Sequence, residues 1–293
     1  MNPFQQLQKM IEKKQKDLFK QINKDYRETI DLMETEIEKI VETAEYDEKG
    51  NLLNEKEINQ KLKTMTPIIV ALWLKNKSNI ETTSKDMMKE TTLFYEFISV
   101  KQLGNTRVIQ TVPEINKTIS KILKERSNTI KWNQVINGNA KTLDKRLQNI
   151  IKKDIAKGKT KFQIERDLQT QMRLNSGKAR TIARTESNYY YSKSKYETGK
   201  LQEESGNIMV KIWEYTYLSK EPRDSHEFAN GQIVEGVDTK FIVGGLETVA
   251  PQQFGIAGED INCNCQYTMR YKEGTNLISY VEYGEYKAEK EVE

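Results

Sequence analysis

Leu7, Ile11, Leu18, Ile22, Tyr26, Ile30, Met33, Ile37 and Val41 recur mostly at steps of three, four or seven residues. That spacing draws one apolar stripe along a helix of about 40 residues. Lys, Glu, Gln and Asp fill the other faces. A single-stripe helix of this length cannot bury its stripe alone and needs other helices or another protein to lie on. Tyr46-Asp-Glu-Lys-Gly50-Asn51 reads as its end and a turn.

The same period continues. Residues 55–77 read as a second helix, with Pro67 as a kink or boundary, and 83–103 as a third that stops at Gly104-Asn105. Pro113 opens a fourth, running to about Ile130. Thr142–Lys157 is a fifth, closed by Gly158. Thr160 caps a sixth carrying Phe162, Ile164, Leu168 and Met172, and Gly177–Gly199 is a seventh. The character changes near Gly206, since seven of the 15 glycines lie in residues 206–260. Ile208–Leu218 reads as a strand and Gln266–Tyr271 as another. The expected architecture is a mostly α N-terminal body with a small α+β C-terminal module. The expected domains are a helical body over 1–130, basic helices over 131–205, the α+β module over 206–272 and an acidic tail over 273–293. That tail is ordered only if it docks. There is no internal repeat.

Composition narrows the function. The longest apolar run, Ile68–Leu74, is far short of the roughly 20 residues of a bilayer span. Met1–Lys14 carries charges where a signal peptide needs an apolar stretch, so Sec-type export is not expected. With two cysteines and one histidine, a two-His zinc motif, a four-cysteine zinc site and a disulfide framework are all excluded within one chain. The cysteine usage fits a reducing cytosol. Net charge is +4, unevenly placed: residues 131–200 hold 17 basic and 6 acidic side chains, while 201–293 are net acidic. A concentrated basic segment suits a polyanion, nucleic acid first, or is a solvated helix face. Lys145, Arg146, Lys152, Lys153, Lys157, Lys159 and Lys161 are its candidate contacts.

Three motifs could carry chemistry. Ala179-Arg-Thr-Ile-Ala-Arg-Thr-Glu186 places Arg180 and Arg184 one turn apart, able to clamp an anion, or to join Glu186 in a buried ion-pair network. Trp213 leads a strand into a polar loop with Arg223, Asp224 and His226, followed by Gly231. Glu259-Asp-Ile-Asn262-Cys263-Asn264-Cys265 holds both thiols. If His226 meets Cys263 and Cys265, three zinc ligands exist, with Asp224, Asp260 or water as a fourth. Two other arrangements stay open. One has free buried cysteines with His226 bonded to backbone, and the other a Cys263–Cys265 disulfide. A Cys–His nucleophile oriented by Asn262 or Asp224 is formally available. There is no Walker A loop, no G-x-G-x-x-G and no G-x-S-x-G.

In this order the motifs resemble the phage head morphogenesis family of minor head proteins related to the F protein of phage Mu. The elements are Ala183-Arg184-Thr185-Glu186, then Trp213, then Glu221-Pro-Arg223-Asp-Ser-His226 with Gly231, then Ile261-Asn262-Cys263-Asn264-Cys265. The resemblance covers about residues 130–270. It departs at Glu221, where the family has Asp, and at Asn264, where it has Arg. It implies a non-enzymatic virion component made in the host cytoplasm and placed inside the capsid near the portal. It further implies head assembly or DNA delivery, with the portal protein, scaffold or major capsid protein and packaged double-stranded DNA as partners. The competing expectation is a metal-dependent hydrolase or toxin-like enzyme using His226 and Cys263/Cys265; toxin-like domains are sometimes fused to this family.

Overall fold

The computed structural model describes residues 3–49, 51–216, 223–272 and 280–292. The long stripe becomes α1 (Pro3–Val41), followed by α2 (Glu55–Leu62) and α3 (Met65–Leu103). Then come α4 (Val112–Ile130), α5 (Trp132–Ala156) and α6 (Lys161–Glu204). No described helix is long and apolar enough to cross a membrane. The observed class, a helical body with a small C-terminal region of antiparallel strands, is the one expected.

Two helix boundaries differ from the sequence reading. Residues 65–103 form one helix, not two, and Pro67 sits in its first turn. There the missing N–H has no helical partner to lose, so proline neither kinks nor ends it. Residues 161–204 also form one helix, running through Gly177. An interior glycine costs only about 1 kcal/mol against alanine, too little to break a helix packed on both sides of it.

The chain divides into two compact units, and α1, α3, α4 and α6 contribute to both. One consists of residues 18–79 and 127–180. Its core takes Leu18, Ile22, Met33, Ile37, Trp73, Trp132, Leu147 and Leu168, all buried. Asp25 is buried within it and paired with Lys75 at 2.8 Å, with Gln21 and Asn79 also donating to its carboxylate.

The other unit holds residues 1–17, 80–126 and 181–293. After α6 come β1 (Met209–Glu214), α7 (Asp224–Phe228), β2 (Ile233–Glu235), β3 (Phe241–Val243) and β4 (Leu246–Thr248). They are followed by α8 (Ala257–Asp260), β5 (Gln266–Tyr271) and α9 (Tyr280–Val292). β1 is the centre of a three-stranded antiparallel sheet ordered β2-β1-β5, with Lys211 opposite Val234 on one side and Met269 on the other. β3 and β4 form a hairpin turned at Gly244-Gly245. Gly244 has φ +58°, and a Cβ there would lie 2.7 Å from Ser225 Cβ, so the turn needs glycine. The strand expected over Ile208–Leu218 is Met209–Glu214; Leu218 lies outside the described residues.

Within this unit α6 lies on the sheet. Gly199 is a close approach, where an added Cβ would meet Met269 Sδ at 2.6 Å and Val237 Cγ2 at 2.8 Å. Ser192 Oγ donates to Pro251 O at 2.7 Å, and Tyr267 Oη donates to Ser192 O at 3.1 Å. From α3, Tyr95 Oη donates to Met269 O at 2.9 Å. The acidic tail docks through α9. Its Tyr283 is buried against Phe94 and Phe97, and its hydroxyl donates to Glu90 Oε2 at 2.9 Å.

Candidate functional site

α7 and the loop before β5 bring the one histidine and both cysteines together. The short helix α7 buries His226, and Trp213 of β1 fixes the backbone there, its Nε1–H donating to His226 O at 3.2 Å. Phe254 stacks on the imidazole, with centroids 5.5 Å apart and planes inclined by 21°. Nε2 lies 2.7 Å from Glu259 Oε2, and Nδ1 lies 3.5 Å from both Cys263 Sγ and Cys265 Sγ. The three ligand atoms all lie within 4.8 Å of one another. His226 is 1% exposed, Cys263 1% and Cys265 3%.

The loop that presents the thiols is pinned from several sides. Asn262 takes φ +58°, and its N–H donates to Thr185 Oγ1 at 3.0 Å. Gln252 Nε2 donates to Cys265 O at 2.7 Å and Cys263 O at 3.2 Å. Asn188 Nδ2 also donates to Cys263 O, and Arg223 Nη2 to Ile261 O at 2.8 Å. Gly231, at φ +80°, donates its N–H to Trp213 O at 2.9 Å. Asp224 is exposed on α7, and Asp260 is spent on the Phe254 and Gly255 amides. Neither joins the ligand group, so of the expected fourth ligands only water is left. His226 bonds Glu259 through Nε2, and no disulfide joins Cys263 to Cys265.

The group polarises itself. A hydrogen bond from Cys265, and then His226, pulls the Cys263 thiol down to about 5 against the opposing effect of burial. Its neighbour Cys265 is pushed up by the same bond and by burial. Burial opposes charge on His226, but Cys263 and Glu259 outweigh it and raise its pKa. A thiolate beside an imidazole suits either nucleophilic or metal chemistry. Among the described residues a cavity of about 10 Å³ adjoins the sulfurs, which is room for one water.

The A-R-T-E motif is dispersed among other partners. Glu186 is held by Arg126 of α4, not by the Arg184 that the sequence pairs with it. Nε donates to Oε2 and Nη2 to Oε1, both at 2.8 Å. Arg184 Nη1 donates to Asn262 Oδ1 at 3.2 Å, tying α6 to the cysteine loop. Arg180 belongs to the other unit, where it lines a cavity of about 630 Å³ with Arg27, Arg173, Tyr26 and Glu34. Glu221 lies outside the described residues.

Arg126 and Gln252 escape a motif search because each is far in sequence from the residue it serves. Glu259 had a signal, a carboxylate four residues before the first cysteine, but nothing in that spacing pairs it with His226.

Residues 145–268 match the family of Phage Mu protein F like proteins. That segment is Mu F-like. It runs from α5 to β5 and contains every motif described above, close to the 130–270 expected. The chain is also similar to the NAD(+)–arginine ADP-ribosyltransferase EFV of Enterococcus faecalis, at 30% identity over 123 residues. That alignment covers 42% of this chain and 25% of the relative, so the chain spans about a quarter of the length of the curated relative it matches. No solved structure matches the chain.

The basic residues of the Mu F-like segment divide by use. Lys145, Arg146, Lys153 and Lys157 of α5 and its C-terminus are exposed, Lys152 is half-buried, and among the described residues none of the five has a carboxylate partner. Lys159 is held by Asp154 and Asp167 at 2.7 and 2.6 Å, and Lys161 by Glu38 at 2.5 Å. Those two are therefore less available to a polyanion than the sequence suggests.

Proposed function

We propose that this protein is a phage minor head protein, attached near the portal inside the procapsid, which contacts packaged double-stranded DNA or aids its delivery. The observation that carries the reading is the Mu F-like match over residues 145–268. The exposed row on α5 supports the DNA contact. Lys145 and Lys152, and Arg146, Lys153 and Lys157, recur at helical spacing, and a row of cations on one helix face follows a phosphate backbone without reading bases. Scaffold or major capsid protein are further partners on this reading. The Mu F-like module then serves as a compact structural unit, and the burial of His226, Cys263 and Cys265 favours that role over catalysis.

The test is mass spectrometry of purified heads from the phage that encodes this chain. A few copies per head, enriched in portal-containing fractions and lost on deletion together with normal head yield, are expected. Heads that assemble and package normally without the chain would overturn the proposal.

A further inference from the structure

We infer that His226, Cys263 and Cys265 bind one zinc ion, with Nδ1 and both Sγ atoms as ligands and a solvent molecule at the fourth position, as a structural site of this module.

The distances carry the inference. Zn–N is about 2.0–2.1 Å and Zn–S about 2.3 Å, so at a tetrahedral centre a nitrogen and a sulfur stand about 3.5 Å apart. Nδ1 lies 3.5 Å from each of the two sulfurs. A hydrogen bond accounts for one such distance. Nδ1 carries either one proton or one lone pair, so one linear hydrogen bond serves only one of the two sulfurs. Two equal distances from one ring nitrogen are also what a shared cation at the centre produces.

The tautomer agrees. With metal bound, Glu259 at 2.7 Å from Nε2 can keep the proton there, and Nδ1, which otherwise bonds Cys263, turns its lone pair to the ion. A carboxylate behind a histidine is the outer partner that orients zinc-binding imidazoles elsewhere. Charge agrees as well. Two thiolates and one Zn²⁺ sum to zero, so the ligand sulfurs and the ion together carry no net charge, and binding releases whatever thiol proton the pair still holds. The N,S,S donor set suits a borderline-soft divalent ion more than magnesium or calcium. The cavity of about 10 Å³ beside the ligands, lined by Tyr215, Thr216, Arg223, Asn262 and Asn264, has the size of one water.

The site joins parts of the module that secondary structure alone leaves separate. α7 supplies the histidine and the loop before β5 the thiols, while all five described elements between β1 and β5 have five residues or fewer. A module with so little regular structure gains from a cross-link. The inference rests on this geometry alone and stands whether or not the protein is a head component.

Untagged full-length protein, purified under reducing conditions, tests it by elemental analysis. About one zinc per chain is expected. Replacement by Co²⁺ should bring thiolate-to-cobalt charge-transfer absorption in the near ultraviolet and visible bands of tetrahedral cobalt. In the holoprotein both thiols should resist Ellman's reagent, and a chelator should expose them. Glu259→Gln keeps all three ligands and should retain the fold while weakening zinc affinity about 10–100-fold. Folded wild-type protein with zinc near zero, no cobalt spectrum on adding Co²⁺, and both thiols unchanged by chelator would overturn the inference.

Discussion

Arg126 grips Glu186 through two parallel hydrogen bonds of 2.8 Å, and the guanidinium also covers the ring of Tyr189 at 3.9 Å. Both side chains of the pair are mostly buried, at 13% and 7% exposed. The pair joins the last turns of α4 to the stretch of α6 that carries the A-R-T-E motif. The glutamate of that motif is thus a structural anchor, held by a residue 60 positions away.

Arg126→Ala is expected to destabilise the chain by about 3–5 kcal/mol, because it leaves the buried Glu186 carboxylate without its counter-charge. Pairing Arg126→Met with Glu186→Leu removes both charges together and should recover most of the loss. Urea unfolding of the three variants measures it. Equal stability of Arg126→Ala and wild type would show that the pair contributes nothing.

Much of this fold is legible in the sequence, for physical reasons. The α1 stripe and the Gln266–Tyr271 strand follow from periodicity, because a stripe must face a core and a half-buried strand alternates. Helix continuity through residues 78–82 and Gly177 is not legible, since local propensity there is weak while the packing that outweighs it comes from distant residues. Lys211 was also missed. It occupies an inward position of β1 between Met209 and Trp213, and its ammonium donates to three carbonyls, those of Val237, Thr239 and Val249. The His–Cys–Cys meeting was legible from scarcity, because so few such side chains exist. Glu259 and Arg126 needed three-dimensional contacts that no spacing encodes.

Gly199→Ala should cost about 1–3 kcal/mol through overpacking of α6 against the sheet. Met269 can swing away, but Val237 Cγ2 at 2.8 Å from the new methyl has little freedom. An alanine normally stabilises a helix interior, so a stabilised variant would mean that α6 and the sheet do not approach as closely as described. Thermal unfolding distinguishes the two signs.

Two buried lysines should give the protein an alkaline stability optimum. Burial pulls Lys195 from 10.5 to about 7 and Lys211 to about 8. The unfolded chain therefore holds more protons than the folded one between about pH 7 and 10, and stability rises with pH across that window. Each lysine contributes at most about 1.4 kcal/mol per pH unit. Above pH 10 the sign reverses, because burial raises Tyr95, Tyr191, Tyr267 and Tyr271, which ionise more readily once unfolded. Urea midpoints from pH 7 to 11 should pass through a maximum near pH 10. Lys195→Met should flatten the rise below it; an unchanged slope would place the Lys195 proton elsewhere.

The α5 row should bind duplex DNA weakly, without sequence preference and with strong dependence on salt. If Lys145, Arg146, Lys153 and Lys157 each neutralise a phosphate, about four counterions are released, and log K should fall with log salt at a slope of about −3 to −4. Between 50 and 200 mM salt that is a loss of roughly a hundredfold. Replacing all four residues with glutamate should abolish binding on random-sequence duplexes, since repulsion takes the place of each contact. Lys159→Ala and Lys161→Ala should change it little, because both ammonium groups already face carboxylates. Fluorescence anisotropy with labelled duplexes reads every arm. If the four-glutamate variant binds as well as wild type, the row meets water or an acidic protein surface, and the DNA contact must be sought outside α5.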